Sequence, residues 1–410
     1  MCIIGKLVFK TYANYLFKIF NRTAGEKMIS KKVGGIKPSA TLAISAKAKA
    51  MKKEGIDVIG FGAGEPDFDT PDHIKEAAKK AIDSGFTKYT PAHGIPELRQ
   101  AVADKLKKDS SLDYSADDVV ISNGGKHTLA NIMMTMLDDG DEVVLPIPYW
   151  VSYVEQVRLA GGNVAFADTE ELKIKADLIA DKVTDRTKMI ILNSPSNPSG
   201  MVCSKAEMKK IAGLAATNRI FVVSDEVYEK FIYGDKEQIS IASLGEEIKK
   251  LTIIANAVSK TYSMTGWRIG FSASVDEIAK AMANLQSQTT SNPCSIAQKA
   301  ALAAYTGPQD CVQKMLGEFA KRREAMVKGL NEIGLDCAYP DGAFYAFPSI
   351  KAAGLGSAEF CSQLLDKEKV AAVPGIEFGM DSNIRLSFAC SMEDIEKGLE
   401  RIGRFVKSLK

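Results

Sequence analysis

Residues 251–270 read LTIIANAVSKTYSMTGWRIG, and this stretch decides the predicted fold and chemistry of the chain. Leu251–Ala255 is a short apolar run that is typical of a buried strand. After it come Lys260, a turn at Gly266 and then Arg268 in an apolar setting. A lysine at the end of a buried strand is desolvated, which lowers its pKa and suits it to form an imine with a carbonyl compound.

Arg268 is permanently charged, so it needs an anionic partner, and the geometry of a phosphate suits its guanidinium. An aldehyde-reactive lysine beside a phosphate-binding arginine indicates pyridoxal 5′-phosphate (PLP) as a cofactor. The alternative is a surface turn in which Lys260 and Arg268 both face water, and a short motif alone does not exclude it. The choice between a PLP site and a surface turn therefore depends on the rest of the sequence.

The composition excludes several classes of protein. The chain has 410 residues, 46% hydrophobic and 25% charged, which is ordinary for a soluble globular protein and sufficient for two domains. Its net charge is +2 with no basic block, so nucleic-acid binding is not expected. The 7 scattered cysteines lack a CxxC pair and indicate the reducing cytoplasm. No metal site is expected, because His73, His93 and His127 have no metal-ligand spacing.

Residues 1–27 form an N-terminal extension whose composition differs from that of the remaining chain. Its lysines, arginine and aromatics, with Glu26 the only acid, fit an amphipathic membrane-surface helix or a transit-type segment. No apolar run in it approaches a membrane span. The other interpretation, which we prefer, makes Met28 the natural start and the extension an artefact of the upstream reading frame.

Apolar strands alternate with helices over the middle of the chain. The pattern predicts strands at 119–121, 142–145, 164–167, 188–192, 220–223 and 251–255, and helices at 126–137, 149–159 and 205–217. This rhythm predicts an α/β fold with a mostly parallel sheet covered by helices on both faces. From about residue 311, a long charged helix, short strands and a final amphipathic helix predict a smaller α+β domain. The predicted parts are an arm and part of the small domain (28–73), a large domain (74–310) and the small domain (311–410).

Polar residues follow the predicted strands, at the sheet edge where such folds bind ligands. Asp225 could hold a proton on a cofactor ring, or it could simply cap a helix. Asn197 is either a donor to the ring or a turn residue. Gly124 and Gly125 precede a helix and offer backbone N–H groups to a phosphate. Lys126 opposes the dipole of that helix unless an anion neutralises it, and the alternative is a solvated lysine.

Three more residues have two interpretations each. Tyr228, one helical turn after Asp225, could reach the phenolic oxygen of the ring. Trp150 could stack on the ring or pack in the core. In NIRLSFA, alternation places Arg385 opposite Ile384 and its apolar neighbours, where it could clamp a carboxylate or face solvent.

Several motifs together resemble the class I aminotransferases of PLP fold type I, and most of all the prokaryotic-type aspartate aminotransferases. They occur in unbroken order from about Lys37 to the C-terminus and read AGEPDFDTP, KYTPAHGIPELR, PYWVSY, SPSNPSG, VSDEVY, SKTYSMTGWRIG and NIRLSFA. One departure is Ala257, where many relatives carry a hydroxyl residue that contacts the phosphate. The resemblance implies a homodimer with shared active sites.

The resemblance also implies a role for each matching residue. Lys260 would bind PLP and move the proton, Asp225 would pair with the pyridine nitrogen, and Asn197 and Tyr228 with the phenolic oxygen. Trp150 would stack on the ring, and the phosphate would be held by Gly124, Gly125, Ser259 and Arg268, with Lys126 nearby and Tyr89 from the second subunit. The substrate α-carboxylate would be bound by Arg385, Asn197 and the Gly64 amide.

The implied reaction is a ping-pong exchange of an amino group between aspartate and 2-oxoglutarate. The distal carboxylate would be taken by Lys126, helped by the hydroxyls of Ser39 and Thr41. Prephenate, aromatic or other amino acids as substrates, and a β-lyase on the same fold, stay as alternatives. A DNA-binding regulator is disfavoured because the extension is too short for a helix-turn-helix domain. A nicotinamide dehydrogenase is disfavoured because GFGAG at residues 60–64 lacks the GxGxxG spacing.

Overall fold

The computed structural model describes residues 29–36 and 40–409, and its main feature is a central sheet of seven strands. The strands of the described residues are β1 Ile59–Gly60, β2 Val119–Ser122, β3 Glu142–Pro146, β4 Asn163–Ala167, β5 Thr187–Asn193, β6 Phe221–Asp225, β7 Thr252–Ala257, β8 Gly270–Ala273, β9 Tyr345–Ala346, β10 Val370–Ala371, β11 Val373–Pro374 and β12 Ile384–Ser387. The central sheet has the order β2-β8-β7-β6-β5-β3-β4.

Helices connect these strands and cover the sheet. In chain order they are Ala40–Lys53, Asp72–Asp83, Pro96–Ser110, Gly125–Met136, Ser152–Ala160, Ala176–Ala180, Lys205–Asn218, Glu246–Leu251, Val258–Thr261, Asp276–Thr289, Ser295–Thr306, Asp310–Ile333, Ser357–Glu368 and Met392–Ser408. Lys31–Gly34 is a separate helical turn, and backbone contacts group residues 29–36 apart from residues 40–409.

The central sheet is parallel except for β8. Its strands β3, β4, β5, β6 and β7 pair in parallel, whereas β8 runs antiparallel to both β2 and β7. Gly270, the first residue of β8, pairs with Ser122 at the end of β2 and with Ala257 at the end of β7. The reversal therefore brings the segment just before β8, which contains Arg268, to the edge where the parallel strands end.

Both faces of the sheet are buried, which explains the near-continuous apolar strands. Successive residues of a strand point to opposite faces, and in β6 Val222 and Val223 belong to different hydrophobic clusters. The same holds for Ile190 and Ile191 in β5. The predicted mostly parallel α/β sheet with helices on both sides is confirmed.

A second set of short strands lies in the C-terminal part of the chain. β11, β12 and β9 form an antiparallel sheet, and β1 pairs with β10 in parallel, Ile59 opposite Val370. Their cluster includes Phe61, Phe344 and Phe360, packed with the long helices Asp310–Ile333 and Met392–Ser408. The smaller α+β part is thus present, while the domain boundaries after residues 73 and 310 stay a prediction.

Some predicted elements differ from the structure. The helix predicted from Tyr149 begins at Ser152, and the amide of Tyr149 instead donates to the carbonyl oxygen of Phe378, 3.2 Å away, which holds this residue beside the C-terminal part of the chain. The sequence did not predict β8 or the helices 72–83, 276–289, 295–306 and 357–368. The predicted extension, residues 1–27, lies outside the described residues.

Gly270→Ala tests how closely β8 packs against the start of the helix Gly125–Met136. A Cβ atom at residue 270 would lie 2.5 Å from the nitrogen of Gly125 and 2.6 Å from the carbonyl carbon of Gly124. Backbone atoms cannot rotate away, so we expect the free energy of unfolding, measured by urea denaturation, to fall by about 1–3 kcal/mol.

Gly213→Ala is the matched control. A Cβ at this helical position meets nothing within 4 Å, so the free energy of unfolding should stay the same or rise by up to about 1 kcal/mol. Unchanged stability of Gly270→Ala would contradict the close approach of β8 to residues 124 and 125.

Candidate active site

A cleft of about 550 Å³ opens at the edge where the parallel strands end. Its wall includes the residues that follow β2, β5, β6 and β7, and also loop 62–65, Tyr345 and Arg385. Because the carboxyl ends of parallel strands share an edge, residues far apart in the sequence meet there. Among the residues predicted for the site, those that line the cleft are Gly64, Gly125, Lys126, Trp150, Asn197, Asp225, Tyr228, Ser259, Lys260, Arg268 and Arg385.

Lys260 lies in the single helical turn Val258–Thr261 after β7, with its amine in the cleft. Its Nζ donates to the carbonyl oxygen of Gly64 at 2.6 Å. Desolvation lowers the pKa of Lys260 to about 8, and Glu65 opposes this effect. Near neutral pH a fraction of the amine is therefore uncharged, as a nucleophile or general base must be.

Asp225 ends β6 and is 5% exposed. Burial raises its pKa to about 6, while a hydrogen bond from Tyr153 and the amide of Val227 act in the opposite direction. The Tyr153 hydroxyl donates to Oδ2 at 2.6 Å, and the Val227 amide donates to Oδ1 at 3.2 Å. The alternative that Asp225 caps a helix is wrong, because no helix begins directly after this residue.

Sequence reasoning missed Tyr153. It lies 72 residues from Asp225 in the chain and is fully enclosed by protein, and burial raises its pKa so that it stays a donor. A signal was present, since Tyr153 follows Trp150 by three residues in PYWVSY, which is the spacing of one helical face. The two rings meet edge to face with centroids 5.3 Å apart.

The backbone at Gly124 and Gly125 lies against Arg268. Gly124 has a φ of 87°, and a Cβ there would lie 2.3 Å from Nη2 of Arg268, so only glycine fits. Arg268 is exposed in the cleft and donates from Nη1 to the carbonyl oxygen of Thr265 at 2.7 Å. The amide of Gly124 donates to the carbonyl oxygen of Ser122 at 2.7 Å, so of the two predicted amides we assign only that of Gly125 to an anion. A helix N-terminus, a guanidinium and the hydroxyl of the buried Ser259 together suit a phosphate.

Arg385 is buried, with 2% of its surface exposed. Nη1 donates to Oδ1 of Asn197 at 3.0 Å, and Nη2 donates to the carbonyl oxygen of Gly62 at 2.9 Å. The guanidinium carbon lies 4.5 Å from the centroid of the Tyr345 ring. No carboxylate of the described chain pairs with Arg385, so the guanidinium can accept an anion from outside.

The solvent-facing alternative for Arg385 is therefore wrong. Alternation correctly separates its side chain from those of Ile384 and Leu386, but all of β12 is buried. The face opposite the apolar residues borders the cleft instead of bulk water, because Tyr345 covers the guanidinium.

Asn197 and Tyr228 both line the cleft and are 6% and 3% exposed. The Asn197 amide nitrogen donates to Oδ1 of Asn193 at 2.8 Å, which fixes the loop that follows β5. The Tyr228 and Tyr345 hydroxyls are 2.8 Å apart. Tyr345 was missed by the sequence reasoning, and we find no motif that marks it.

Lys126 and Trp150 meet in the cleft wall. Nζ of Lys126 lies 5.2 Å from the centroid of the Trp150 ring. Desolvation lowers the pKa of Lys126, with a further contribution from Arg268. By surface area the side chain of Lys126 is exposed, and Trp150 both lines the cleft and packs against the core beneath it.

Four predicted residues are not placed in the cleft. Gly124 lies against Arg268 but does not line the cleft. Tyr89 is 90% exposed and does not line it. Ser39 lies outside the described residues, and the side chain of Thr41 is likewise not described. Within residues 29–36 and 40–409 there is no cluster of three potential metal ligands, and no helix is both long and apolar enough to cross a membrane.

Comparison with known proteins shows similarity to aminotransferases at every level. The family model for aminotransferase class I and II matches residues 56–402. The chain is 47% identical over 391 residues to an aspartate aminotransferase of Bacillus sp. (strain YM-2), covering 93% of this chain and 100% of that relative. It is 46% identical over 392 residues to a probable aspartate/prephenate aminotransferase of Aquifex aeolicus (strain VF5), covering 93% and 100% of the two chains.

Solved structures agree with the sequence relatives. An aspartate aminotransferase from Thermus thermophilus with maleate matches with a TM-score of 0.90 at 39% identity. The match covers 92% of this chain and 100% of that chain, so the likeness extends over both the large sheet and the C-terminal part.

Tyr153→Phe tests the bond to Asp225. Removing the hydroxyl removes a hydrogen bond that lowers the pKa of Asp225, so this pKa should rise above about 6. An aspartate whose pKa is higher in the folded than in the unfolded protein loses stability as the pH rises through that window. We therefore expect the variant to be destabilised by about 1 kcal/mol at pH 5 and by about 2 kcal/mol at pH 8.

Urea denaturation of the dialysed protein at both pH values measures the difference. Tyr149→Phe is the control, since Tyr149 is half-buried beside Phe166 and does not contact Asp225. A Tyr153→Phe destabilisation that is the same at both pH values would show that the hydroxyl does not act on the Asp225 proton.

Proposed function

Because this chain belongs to the class I and II aminotransferases, we propose that it transfers an amino group between aspartate and 2-oxoglutarate, forming oxaloacetate and glutamate. The observation that carries the proposal is a buried Arg385 without a carboxylate partner in the described chain, in the same cleft as Lys260. A guanidinium in that setting favours a carboxylate held by two parallel hydrogen bonds. Lys126, also in the cleft, offers a second cation, which favours a substrate with two carboxylates.

The residues of the cleft fit PLP as the cofactor. A Cβ at Gly124 would collide with the Arg268 guanidinium, so the glycine lets this cation lie directly against the start of the helix Gly125–Met136, where both can face a phosphate. The buried carboxyl of Asp225 suits the ring nitrogen, and the amine of Lys260 suits the aldehyde. When bound, PLP supplies a protonated ring that draws electrons from the substrate α-carbon.

The side chains around the ring would hold it and set its charge. Asp225 keeps a proton at the ring nitrogen, and Tyr153 orients the carboxyl of Asp225 through the bond to Oδ2. Asn197 and Tyr228 would donate to the phenolic oxygen, and Trp150 would cover one face of the ring. The phosphate would be held by Arg268, Ser259 and the amide of Gly125, and Gly124 leaves room for Arg268 beside them.

Lys260 moves the proton. Its Nζ takes the proton from the substrate α-carbon, and a pKa of about 8 keeps the amine both basic enough and sufficiently uncharged near neutral pH. To do so, the amine must break its hydrogen bond to the carbonyl oxygen of Gly64. This bond is to a neutral acceptor and is therefore easier to break than a bond to a carboxylate. The two substrates use the same cleft in turn, which gives ping-pong kinetics.

The substrate carboxylates would be held at two points. Arg385 binds the α-carboxylate together with Asn197 and the amide of Gly64, whose Cα lies close enough that an added Cβ would be 3.2 Å from the Tyr345 hydroxyl. Lys126 binds the distal carboxylate. Ser39 and Thr41 are proposed to assist it from the segment outside the described side chains. Prephenate, another dicarboxylate, is the second candidate substrate, since the Aquifex aeolicus relative is named for both.

The proposed assembly is a homodimer with shared active sites in the cytoplasm. Tyr89, 90% exposed, would reach the phosphate of the partner's site. The free cysteines of the described chain, of which Cys203, Cys337 and Cys361 are buried, support a reducing compartment.

Lys260→Ala tests the function. The variant lacks the only amine we assign to the aldehyde, so it should lose nearly all turnover of aspartate with 2-oxoglutarate, by about 10⁴-fold or more. The visible absorbance of the purified wild type, which reports cofactor bound through a lysine, should also be lost. Lys209→Ala, on an exposed helix face, is the control and should keep both properties. Retained turnover in Lys260→Ala would end the proposal.

Lys126→Leu tests the choice of substrate. The change removes the cation proposed for the distal carboxylate and nearly preserves side-chain volume. We expect kcat/KM for aspartate to fall by about 10²-fold, and kcat/KM for alanine or phenylalanine by less than about threefold. Steady-state assays of aspartate, alanine and phenylalanine, each with 2-oxoglutarate in excess, give these kcat/KM values. Equal losses of kcat/KM for all three amino acids would argue against recognition of a distal carboxylate by Lys126.

A further inference from the structure

Two lysines at the mouth of the cleft have no role in the proposed chemistry. Lys49 and Lys52 lie on the helix Ala40–Lys53, are exposed, and line the cleft. Ala48, on the same helix, is 7% exposed and packs in a cluster with Val58 and Leu365. The helix is therefore anchored, and it presents the two charges at the opening instead of leaving them on a loose segment.

The charge of the cleft is strongly one-sided. Its lining contains six cations, Lys49, Lys52, Lys126, Lys260, Arg268 and Arg385, and two acids, Glu65 and Asp225. Without a cofactor the lining has an excess of four positive charges, whereas the net charge of the whole chain is +2. A bound cofactor phosphate would offset about two of them and leave the lining positive. A concave, low-dielectric wall concentrates such a field toward its opening.

Four of the six cations have an assigned partner or task. Lys260 and Arg385 donate to backbone carbonyls within the cleft, and Lys126 and Arg268 lie at the N-terminus of the helix Gly125–Met136, where we assign them to the distal carboxylate and the phosphate. Lys49 and Lys52 make no ion pair within the part of the chain that the structure describes, whereas Lys47 on the same helix pairs with Asp366 at 3.4 Å.

The arrangement has a local cost. Like charges three residues apart on a helix repel one another, by a few tenths of a kcal/mol in isolated helices. The helix sequence ATLAISAKAKAMKK contains no acid that would offset this repulsion. The mouth of the cleft thus keeps two uncompensated cations where a dicarboxylate must enter.

We propose that Lys49 and Lys52 form a cationic rim that draws dianionic substrates into the cleft without contacting them in the reacting complex. The inference rests on the proposed function, since it takes a dicarboxylate as the substrate. The expected effect follows from Coulomb attraction between each lysine and a dianion over about 10 Å in water, screened by salt. For both lysines together this amounts to roughly a three- to tenfold gain in association at low ionic strength.

The test is the double variant K49Q/K52Q of the holoenzyme. We expect its kcat/KM for 2-oxoglutarate to fall roughly three- to tenfold at about 20 mM salt, and the difference from wild type to shrink below about twofold at about 500 mM salt. The value of kcat at saturating substrate should stay within about twofold, because the rim does not touch the reacting atoms. For pyruvate, a monoanion, the loss on a logarithmic scale should be about half as large.

Binding of maleate, a dianion that is not turned over, is a second readout that does not depend on activity. Calorimetry should show a parallel rise in its Kd at low salt that disappears at high salt. K205Q/K209Q is the matched control, because it removes the same charge from two exposed lysines on Lys205–Asn218, a helix outside the cleft. Its kcat/KM and Kd should match those of the wild type.

Three outcomes would overturn the proposed role of the rim. The first is a salt dependence of kcat/KM in K49Q/K52Q that equals that of the wild type, and the second is an equal loss of kcat/KM in the control variant. The third is a loss of kcat/KM that persists at high salt, which would indicate direct contact or damage to the helix. Failure of the proposed function looks different. In that case the wild type itself would show no amino transfer with any dicarboxylate, whatever the salt dependence of maleate binding.

Discussion

Two cations of the cleft donate to the same short loop, and the rest of the site depends on this arrangement. Lys260, after β7, donates to the carbonyl oxygen of Gly64, and Arg385, in β12, donates to that of Gly62. The central sheet and the C-terminal strands are thereby tied to one loop. Both cations donate to neutral dipoles, and Nε of Arg385 has no hydrogen-bond partner among the described residues, although burial favours a partner of opposite charge. The cleft is therefore prepared for an anion.

The nature of these partners has a chemical consequence. A carboxylate in place of Gly64 would hold the Lys260 proton and raise its pKa, whereas a carbonyl dipole leaves desolvation dominant and the pKa near 8. The same reasoning applies to Arg385, because a resident carboxylate would compete with the substrate. A backbone carbonyl is a weaker acceptor that an incoming carboxylate can replace. Backbone carbonyls as partners thus explain both the uncharged fraction of Lys260 and the capacity of Arg385 to bind a carboxylate.

Much of this arrangement could be predicted from the sequence, because parallel strands impose it. Once Val222 and Ile253 are placed in neighbouring buried strands, Asp225 and Lys260 must emerge at one edge. The reversed strand β8 was not predicted, since a four-residue apolar segment carries no sign of its direction. That reversal is what returns Arg268 to Gly124, although the sequence places them more than a hundred residues apart.

The partners of the predicted residues were harder to find, and the reason is physical. Tyr153 and Tyr345 lie 72 and 117 residues from the groups that they bond, and a buried tyrosine looks like any core aromatic until the hydroxyl has a neighbour. For Arg385, alternation gives the face of β12 but not what covers that face. Periodicity reports the local geometry of one strand, whereas proton affinity and anion binding depend on what a distant segment brings to it. The residues that perform the chemistry were therefore more visible in the sequence than the residues that tune it.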